Sequence, residues 1–482
     1  MLIRQTIRYL PAQLLSPAFQ LLSMIMWTYW LQPGEMGTYV LVSATQEFVN
    51  LIALSWFSIY ALRFMPFERG AAERADYLQT EASILAISVP VSIVAALATT
   101  LMLSHAEFNW QSIAIIAFFY VTRGANSHYS ERARAQSNIG AYTILQTVGP
   151  ILGFALGLAF VELVAPTSNM LLFAYGIAQL IAHLVAAPLI GFAVLPRVLR
   201  GSIVRAAFSY GGPVLMLFGL GWIAENNFRY IVEHVSGATA FGLMAVGWGL
   251  GRRCASFGAM LVAAAAFPIA ARLLNEGRRQ EAFQQLGTNA SLLIGVMAPT
   301  VAGLIMIGAP ATQLLIAPLY REMTATILGL SALAGAIRFL HVHVTDQIFV
   351  LEKRIAYATI VDLVEIVATV ALTTAGLLIH GPVGAVIGAA AGSAIAAIVS
   401  AALAVGRMGF VIPYVDIGKI LLATVAMTVG LHWIPPAQSI AALVATILAG
   451  MAIYAGAIAL AYQADARRIA MRLMSRRMPA PV

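Results

Sequence analysis

Hydrophobic positions along this chain run in long blocks with no amphipathic period, and charges or Gly and Pro clusters interrupt them at intervals of about one bilayer crossing, roughly 20 residues. The blocks predict spans near residues 10–31, 37–62, 82–104, 110–127, 139–161, 169–196 and 206–232. Seven more fall near 237–266, 288–308, 323–350, 354–379, 381–408, 414–433 and 438–462. Two uncharged stretches are too long for one crossing. The cluster His432-Trp-Ile-Pro-Pro-Ala-Gln-Ser439 divides one and His380-Gly-Pro382 the other, because proline cannot continue a helix cheaply. The expected fold class is an all-α integral membrane protein of about 14 transmembrane helices.

Composition agrees with that pattern. Of the 482 residues 61% are hydrophobic and 10% charged, well under the roughly 25% charge of a soluble domain. No stretch remains for a soluble catalytic domain. The one cysteine, Cys254, excludes an intrachain disulfide and a multi-thiolate metal site. The N-terminal apolar stretch is too long for a signal peptide and lacks a cleavage site, so it reads as a retained first helix.

The distribution of cations orients the chain. Lys and Arg collect at the N-terminus (Arg4, Arg8), in the even-numbered connections and after the last span (Arg467, Arg468, Arg472, Arg476, Arg477), 22 of 28 in all. The even connections hold Arg63, Arg69 and Arg74, then Arg132 and Arg134, then Arg197, Arg200 and Arg205. Arg272, Arg278 and Arg279 follow, then Lys353 and Arg354, then Arg407 and Lys419. By the positive-inside rule both termini are expected in the cytoplasm. The basic tail suits anionic lipid and carries no nucleic-acid motif.

A repeat is also legible. Tyr29-Trp-Leu-Gln-Pro-Gly-Glu-Met-Gly37-Thr-Tyr39 aligns with His234-Val-Ser-Gly-Ala-Thr-Ala-Phe-Gly242-Leu-Met244, each joining one helix to the next. Helices 1 and 7 are then equivalent. The expected organisation is an N-lobe of helices 1 to 6 (1–204), a C-lobe of helices 7 to 12 (205–408), and helices 13 and 14 with a basic tail (409–482). Parallel repeats of this kind suggest a substrate path between two lobes.

Leu31-Gln-Pro-Gly-Glu-Met-Gly-Thr-Tyr39, Ala61-Leu-Arg63-Phe-Met-Pro66, and Gly242-Leu-Met followed by Ala266-Phe-Pro268, in that order, resemble the polysaccharide-precursor flippases of the MOP exporter superfamily. The resemblance spans the whole chain. It implies a transporter of polyprenyl-pyrophosphate-linked oligosaccharide for polysaccharide or lipopolysaccharide biosynthesis, working by alternating access with helices 1, 2, 7 and 8 around the cavity. It also implies partners among polymerase or export machinery. In one departure, Phe228 stands where members often carry an acid.

An ionisable group at bilayer depth costs about 2.5–3.5 kcal/mol on insertion scales, so each needs a partner, a wet cavity or a function. Helix 7 carries Glu225, Asn226, Asn227 and Arg229. Glu225 and Arg229, at i and i+4, form either a self-neutralised pair or a cavity cation with a switchable acid. In helix 8, Arg252 and Arg253 point about 100° apart, so at least one is expected to face a cavity, where its planar fork suits pyrophosphate. Glu47 in helix 2 is either paired across helices or protonatable for ion coupling. Arg338 and His341 share a face and, with Asp362 and Glu365, are expected to form a buried polar network. His341 and His343, two apart, cannot chelate a metal from one helical face.

No cofactor or nucleotide-binding motif is present, since Gly247-Trp-Gly249-Leu-Gly251 lacks a preceding strand. The readings that compete with a flippase are a multidrug exporter of the same superfamily and a membrane sugar ligase or acyltransferase. The exporter needs acids facing a cationic substrate, and the ligase an outer loop bearing acid and base residues.

Overall fold

In the computed structural model the backbone is described at residues 2–65, 70–103, 109–191, 196 and 198–475, and side chains at 15–65, 70, 72–103, 109–191, 196, 198–257, 260 and 268–463. Arg4, Arg8, Pro66, Arg69, Arg197, Ala266 and the five tail arginines named above lie outside the described side chains.

The described residues are helical almost throughout, with no strand among them. Only helices and closed barrels satisfy every backbone polar group without water, so uniformly apolar segments of this length fold as helices. In chain order they are α1 (Leu2–Trp27), α2 (Pro33–Phe64), α3 (Ala71–Met102), α4 (Trp110–Ala135), α5 (Ile139–Leu163), α6 (Ser168–Ile190), α7 (201–236) and α8 (238–275). There follow α9 (Arg279–Leu315), α10 (Pro318–Leu351), α11 (355–379), α12 (382–408), α13 (Tyr414–His432) and α14 (Ile440–Ser475). Among the described residues ten helical stretches are long and apolar enough to cross a membrane, and two of these, Gly201–Phe257 and Ile355–Met408, contain a break. One break is Gly237, at φ 82°, and the other is His380-Gly381, with Gly381 at φ 61°. Both fall where the sequence predicts turns. The chain is a multi-pass membrane protein.

Left-handed residues close four of the helices: Ser137 after α4, Gly277 after α8, Lys353 after α10 and Gly409 after α12. In each, the next N–H reaches back to a carbonyl of the last turn, as Asn138 N does to Ala133 O (2.8 Å) and Arg354 N to Phe349 O (2.8 Å). Such caps satisfy orphan carbonyls. Two π turns interrupt the helices, Leu51–Ser55 in α2 and His341–Thr345 in α10.

Two compact units divide the chain: residues 1–246 with 369–385, and residues 247–368 with 386–482. In the first unit α5, α6 and α4 pack on one another and α1 packs on α5, and Trp27, Phe57, Tyr120 and Leu171 are fully buried. In the second, α9 packs against α10, α13 and α14.

Candidate functional site

Within the first unit, α2 and the chain from α7 into α8 form a seam. Gly37 and Gly242, the glycines that set the register of the repeat, meet there: a Cβ on Gly242 would fall 1.7 Å from Pro33 O, and one on Gly37 would fall 2.4 Å from Ala238 O. Only glycine permits this approach. Further along, the Phe48 and Trp222 rings stack at 4.6 Å, the Thr45 and Tyr230 hydroxyls bond at 2.8 Å, and Gly211 lies against Trp56 O.

The polar run of α7 lies beside this seam. Asn226 donates to Trp222 O of its own helix (3.0 Å), and Asn227 donates to Thr369 Oγ1 of α11 (2.6 Å). Arg229 is half-buried, and its Nε is buried with no hydrogen-bond partner. Glu225 is half-buried on the same face one turn earlier.

In the second unit α8 carries Arg252 and Arg253. Arg252 is 8% exposed, and its guanidinium lies over two rings, Trp248 (5.1 Å to the centroid) and Phe339 of α10 (5.9 Å). Gly335 makes room for it, its absent Cβ lying 3.3 Å from Arg252 Cα. Arg253, rotated around the helix, is half-buried.

The predicted polar set on α10 and α11 comes together. Arg338 is ion-paired to Glu365, both deeply buried, and Ser393 Oγ donates to Glu365 Oε1 (2.8 Å). His341 Nε2 lies 3.6 Å from Glu365. The π turn of α10 places Asp346 on the face of His341, where Oδ2 meets Nδ1 at 3.0 Å, while Oδ1 accepts from Ser400 (2.6 Å). Asp362, one turn before Glu365, is buried. The sequence reading missed Asp346, Ser393 and Ser400 as members.

A second buried network lies in the first unit. Glu81 of α3, Arg132 of α4 and His128 of α4 are each at most 2% exposed. Arg132 donates to Glu81 Oε2 (2.8 Å) and to Ile190 O (3.1 Å); His128 bridges Glu81 Oε1 (2.9 Å) and Ser58 Oγ (2.8 Å). Arg132 was counted above among the connection cations. Because α4 extends to Ala135, it is instead a buried member of the helix. Ser58, His128 and Glu81 form a chain, but Ser58 is 6% exposed and Glu81 is held by Arg132, so the group braces helices and presents no nucleophile.

Glu47 has its expected place in α2 but lines something the sequence did not reveal. A polar chamber of about 170 Å³ in the first unit is lined by α1, α2, α4, α5 and α6, with Glu47 and Arg123 on its wall among amides and hydroxyls. Arg123 lies within the predicted fourth span, so the depth argument applied to the other arginines was available for it too. In the second unit, α9, α13 and α14 border an apolar groove of about 540 Å³ with Gly295, Pro299, Gly303, Met427, Leu431 and Tyr454 on its walls.

No family model matches the chain, and no curated protein matches it in sequence. Solved structures do. The lipid II flippase MurJ, in an inward closed conformation, superposes with a TM-score of 0.70 at 13% identity, over 96% of this chain and 99% of its own. An inward-facing multidrug resistance MATE family transporter of the MOP superfamily gives 0.58 at 15% identity, covering 87% and 99%. The MATE multidrug transporter DinF-BH gives 0.55 at 14% identity, covering 85% and 96%. These neighbours are transporters and a flippase, and none is described as an enzyme. The chain has the all-α membrane fold of the MOP-superfamily transporters, the fold that the resemblance in its α2 and α8 motifs implies.

Proposed function

We propose that this protein is a flippase that carries a polyprenyl-pyrophosphate-linked oligosaccharide across the bacterial inner membrane for polysaccharide or lipopolysaccharide assembly, with both termini cytoplasmic. The observation that carries the reading is Arg229: a guanidinium N–H buried in a membrane-spanning helix without a hydrogen-bond partner. Such a group is costly unless a ligand completes it, and a phosphate oxygen does so with a charge-assisted bond. In the second unit, taken by itself, Arg253 on α8 is a further candidate for binding phosphate, with Arg252 set beside it over Trp248 and Phe339. The apolar groove of α9, α13 and α14 suits the isoprenoid tail. The reading keeps an N-lobe at 1–204, a C-lobe at 205–408 and an appended segment at 409–482, with the first and seventh helices equivalent in the sequence repeat. Energy would come from an ion gradient, the membrane potential or consumption of product outside, and Glu225 would compete for Arg229 in the empty carrier.

Likeness to the MATE transporters favours a second reading, drug efflux. Two of the deepest acids argue against it, because Glu81 is paired to Arg132 and Glu365 to Arg338 rather than open to a cationic drug. Reconstitution into vesicles tests both. Native protein should make a fluorescent polyprenyl-pyrophosphate sugar accessible to an impermeant quencher, Arg229→Lys should slow this and Arg229→Ala should slow it further, at equal folded protein. Normal flipping by Arg229→Ala, or transport of a cationic rhodamine dye with no lipid movement, would overturn the proposal.

A further inference from the structure

At the far end of the seam, where α2 stops, the first unit carries a cation that the mechanism just described does not use. Arg63 lies in the last turn of α2, whose end packs with the starts of α3 and α7 through a buried cluster that includes Phe57, Ala61, Tyr77 and Ala207. Arg63 itself is exposed, yet it is held in place. Its Nη1 donates to the Tyr210 hydroxyl of α7 (2.9 Å), and the guanidinium carbon lies 5.2 Å from the centre of the Tyr210 ring and 5.5 Å from that of Phe64. The two rings meet edge to face at 5.0 Å. Cation–π attraction and one neutral hydrogen bond fix the guanidinium without cancelling its charge. An arginine has five N–H donors, and among the described residues Tyr210 Oη is the one acceptor that Arg63 meets.

The surroundings add charge of the same sign. Arg74 on α3 and Arg205 on α7 are exposed and pair with no carboxylate among the described residues, whereas Asp76 is taken by Arg200 (2.8 Å). Between these cations the surface is apolar: Leu62, Phe64 and Phe208 are exposed, with Phe208 packed edge-on against Trp56 at 6.0 Å.

The two properties together select an occupant. A soluble anion would satisfy the arginines and leave Leu62 and the exposed rings in water. A zwitterionic lipid would cover the rings, but its ammonium would meet arginines and no open carboxylate, since Asp76 is engaged and Glu73 is not free. An anionic lipid fits both, with phosphate oxygens accepting from the guanidinium fork and acyl chains covering the apolar surface. The end of a spanning helix also lies at headgroup depth.

We propose that the end of α2, with the starts of α3 and α7, is a docking site for one anionic phospholipid, its phosphodiester seated on Arg63 beside Phe64 and Tyr210 and its acyl chains on Leu62, Phe64 and Phe208. The site is independent of Arg229 and of the identity of the cargo.

Photo-crosslinking of the full-length protein in phosphatidylcholine nanodiscs tests it, using phosphatidylglycerol or phosphatidylcholine with a diazirine on one acyl chain and mass spectrometry to map the labelled peptides. The peptides containing Leu62 and Phe208 should take up the phosphatidylglycerol probe about tenfold more than the phosphatidylcholine probe, the effect of one charge-assisted hydrogen bond. Unlabelled phosphatidylglycerol should compete and sn-glycerol 3-phosphate should not. Arg63→Gln should bring labelling of these peptides down to the phosphatidylcholine level, and Arg63→Lys should leave it intermediate, since an ammonium keeps the charge and loses the fork. The melting temperature of each variant is recorded beside it. Equal labelling by the two probes overturns the proposal, as does a phosphatidylglycerol preference unchanged in both variants. Displacement by glycerol 3-phosphate overturns it in favour of a soluble anion. Displacement by undecaprenyl phosphate at concentrations where phosphatidylglycerol fails overturns it in favour of the transported lipid. Flipping is not read, so a failure here leaves the Arg229 result standing, and lipid docking stands if Arg229→Ala flips lipid normally.

Discussion

Replacing Arg252 or Arg253 separately by leucine should break this protein in two different ways. Arg252 lies within 6 Å of two ring centroids in a site 8% exposed, and a desolvated cation–π contact contributes about 2 kcal/mol. Leucine regains part of that through its own packing, so Arg252→Leu should cost on the order of 2–3 kcal/mol of stability. Arg253 is half-buried, so Arg253→Leu should cost less stability than Arg252→Leu. On function the order reverses. A charge-assisted hydrogen bond is worth about 1.5–3 kcal/mol, so losing one from the pyrophosphate should weaken cargo binding by about 10- to 100-fold. Arg253→Lys should already show part of that loss, since an ammonium keeps the charge without the fork. The assay pairs unfolding by SDS titration with lipid flipping in vesicles at matched folded protein. Equal stability losses for the two leucine variants, or normal flipping by Arg253→Leu, would refute the division of roles.

Two further outcomes are expected. In a Cys254→Ser background, Pro435→Cys between α13 and α14 should react with an impermeant thiol reagent only from outside the cell and Asn275→Cys at the end of α8 only from the cytoplasm, and the reverse would invert the orientation. Glu81→Leu should cost about 3–5 kcal/mol by stranding the Arg132 charge, while adding Arg132→Leu should restore part of the loss; strictly additive losses in SDS titration would show that the pair is not coupled.

Most of the helical architecture was legible in one dimension, because the bilayer requirement is itself one-dimensional. A chain with no water to bond must satisfy its backbone locally, so span length, glycine breaks and proline clusters locate helices without reference to what packs on them. Hence the turns at Gly237, at His380-Gly381 and between His432 and Ile440 fall where the sequence places them. The cost of burying charge is equally local, and it singled out Glu47, Arg229, Arg252, Arg253, Arg338 and Glu365 as residues needing an explanation.

Which explanation holds is a matter of tertiary contact. Nothing near Arg252 in sequence reveals that Phe339 closes over it, and nothing near Arg338 reveals that the π turn of α10 aligns His341 with Asp346. Arg132 and Arg134 look alike as end-of-helix cations, yet one is buried against Glu81 and the other pairs with Glu131 in the open. The chamber is the clearest case: its walls come from five helices between Ser16 and Gln179. The sequence alone determined how many polar groups had to be buried and roughly how deep. Whether each became a brace, as in Glu81 with Arg132, or kept an oxygen without a partner, as Asn126 Oδ1 and Gln179 Oε1 do, depended on which helices met, since a hydrogen bond or ion pair is satisfied only by a partner within about 3 Å.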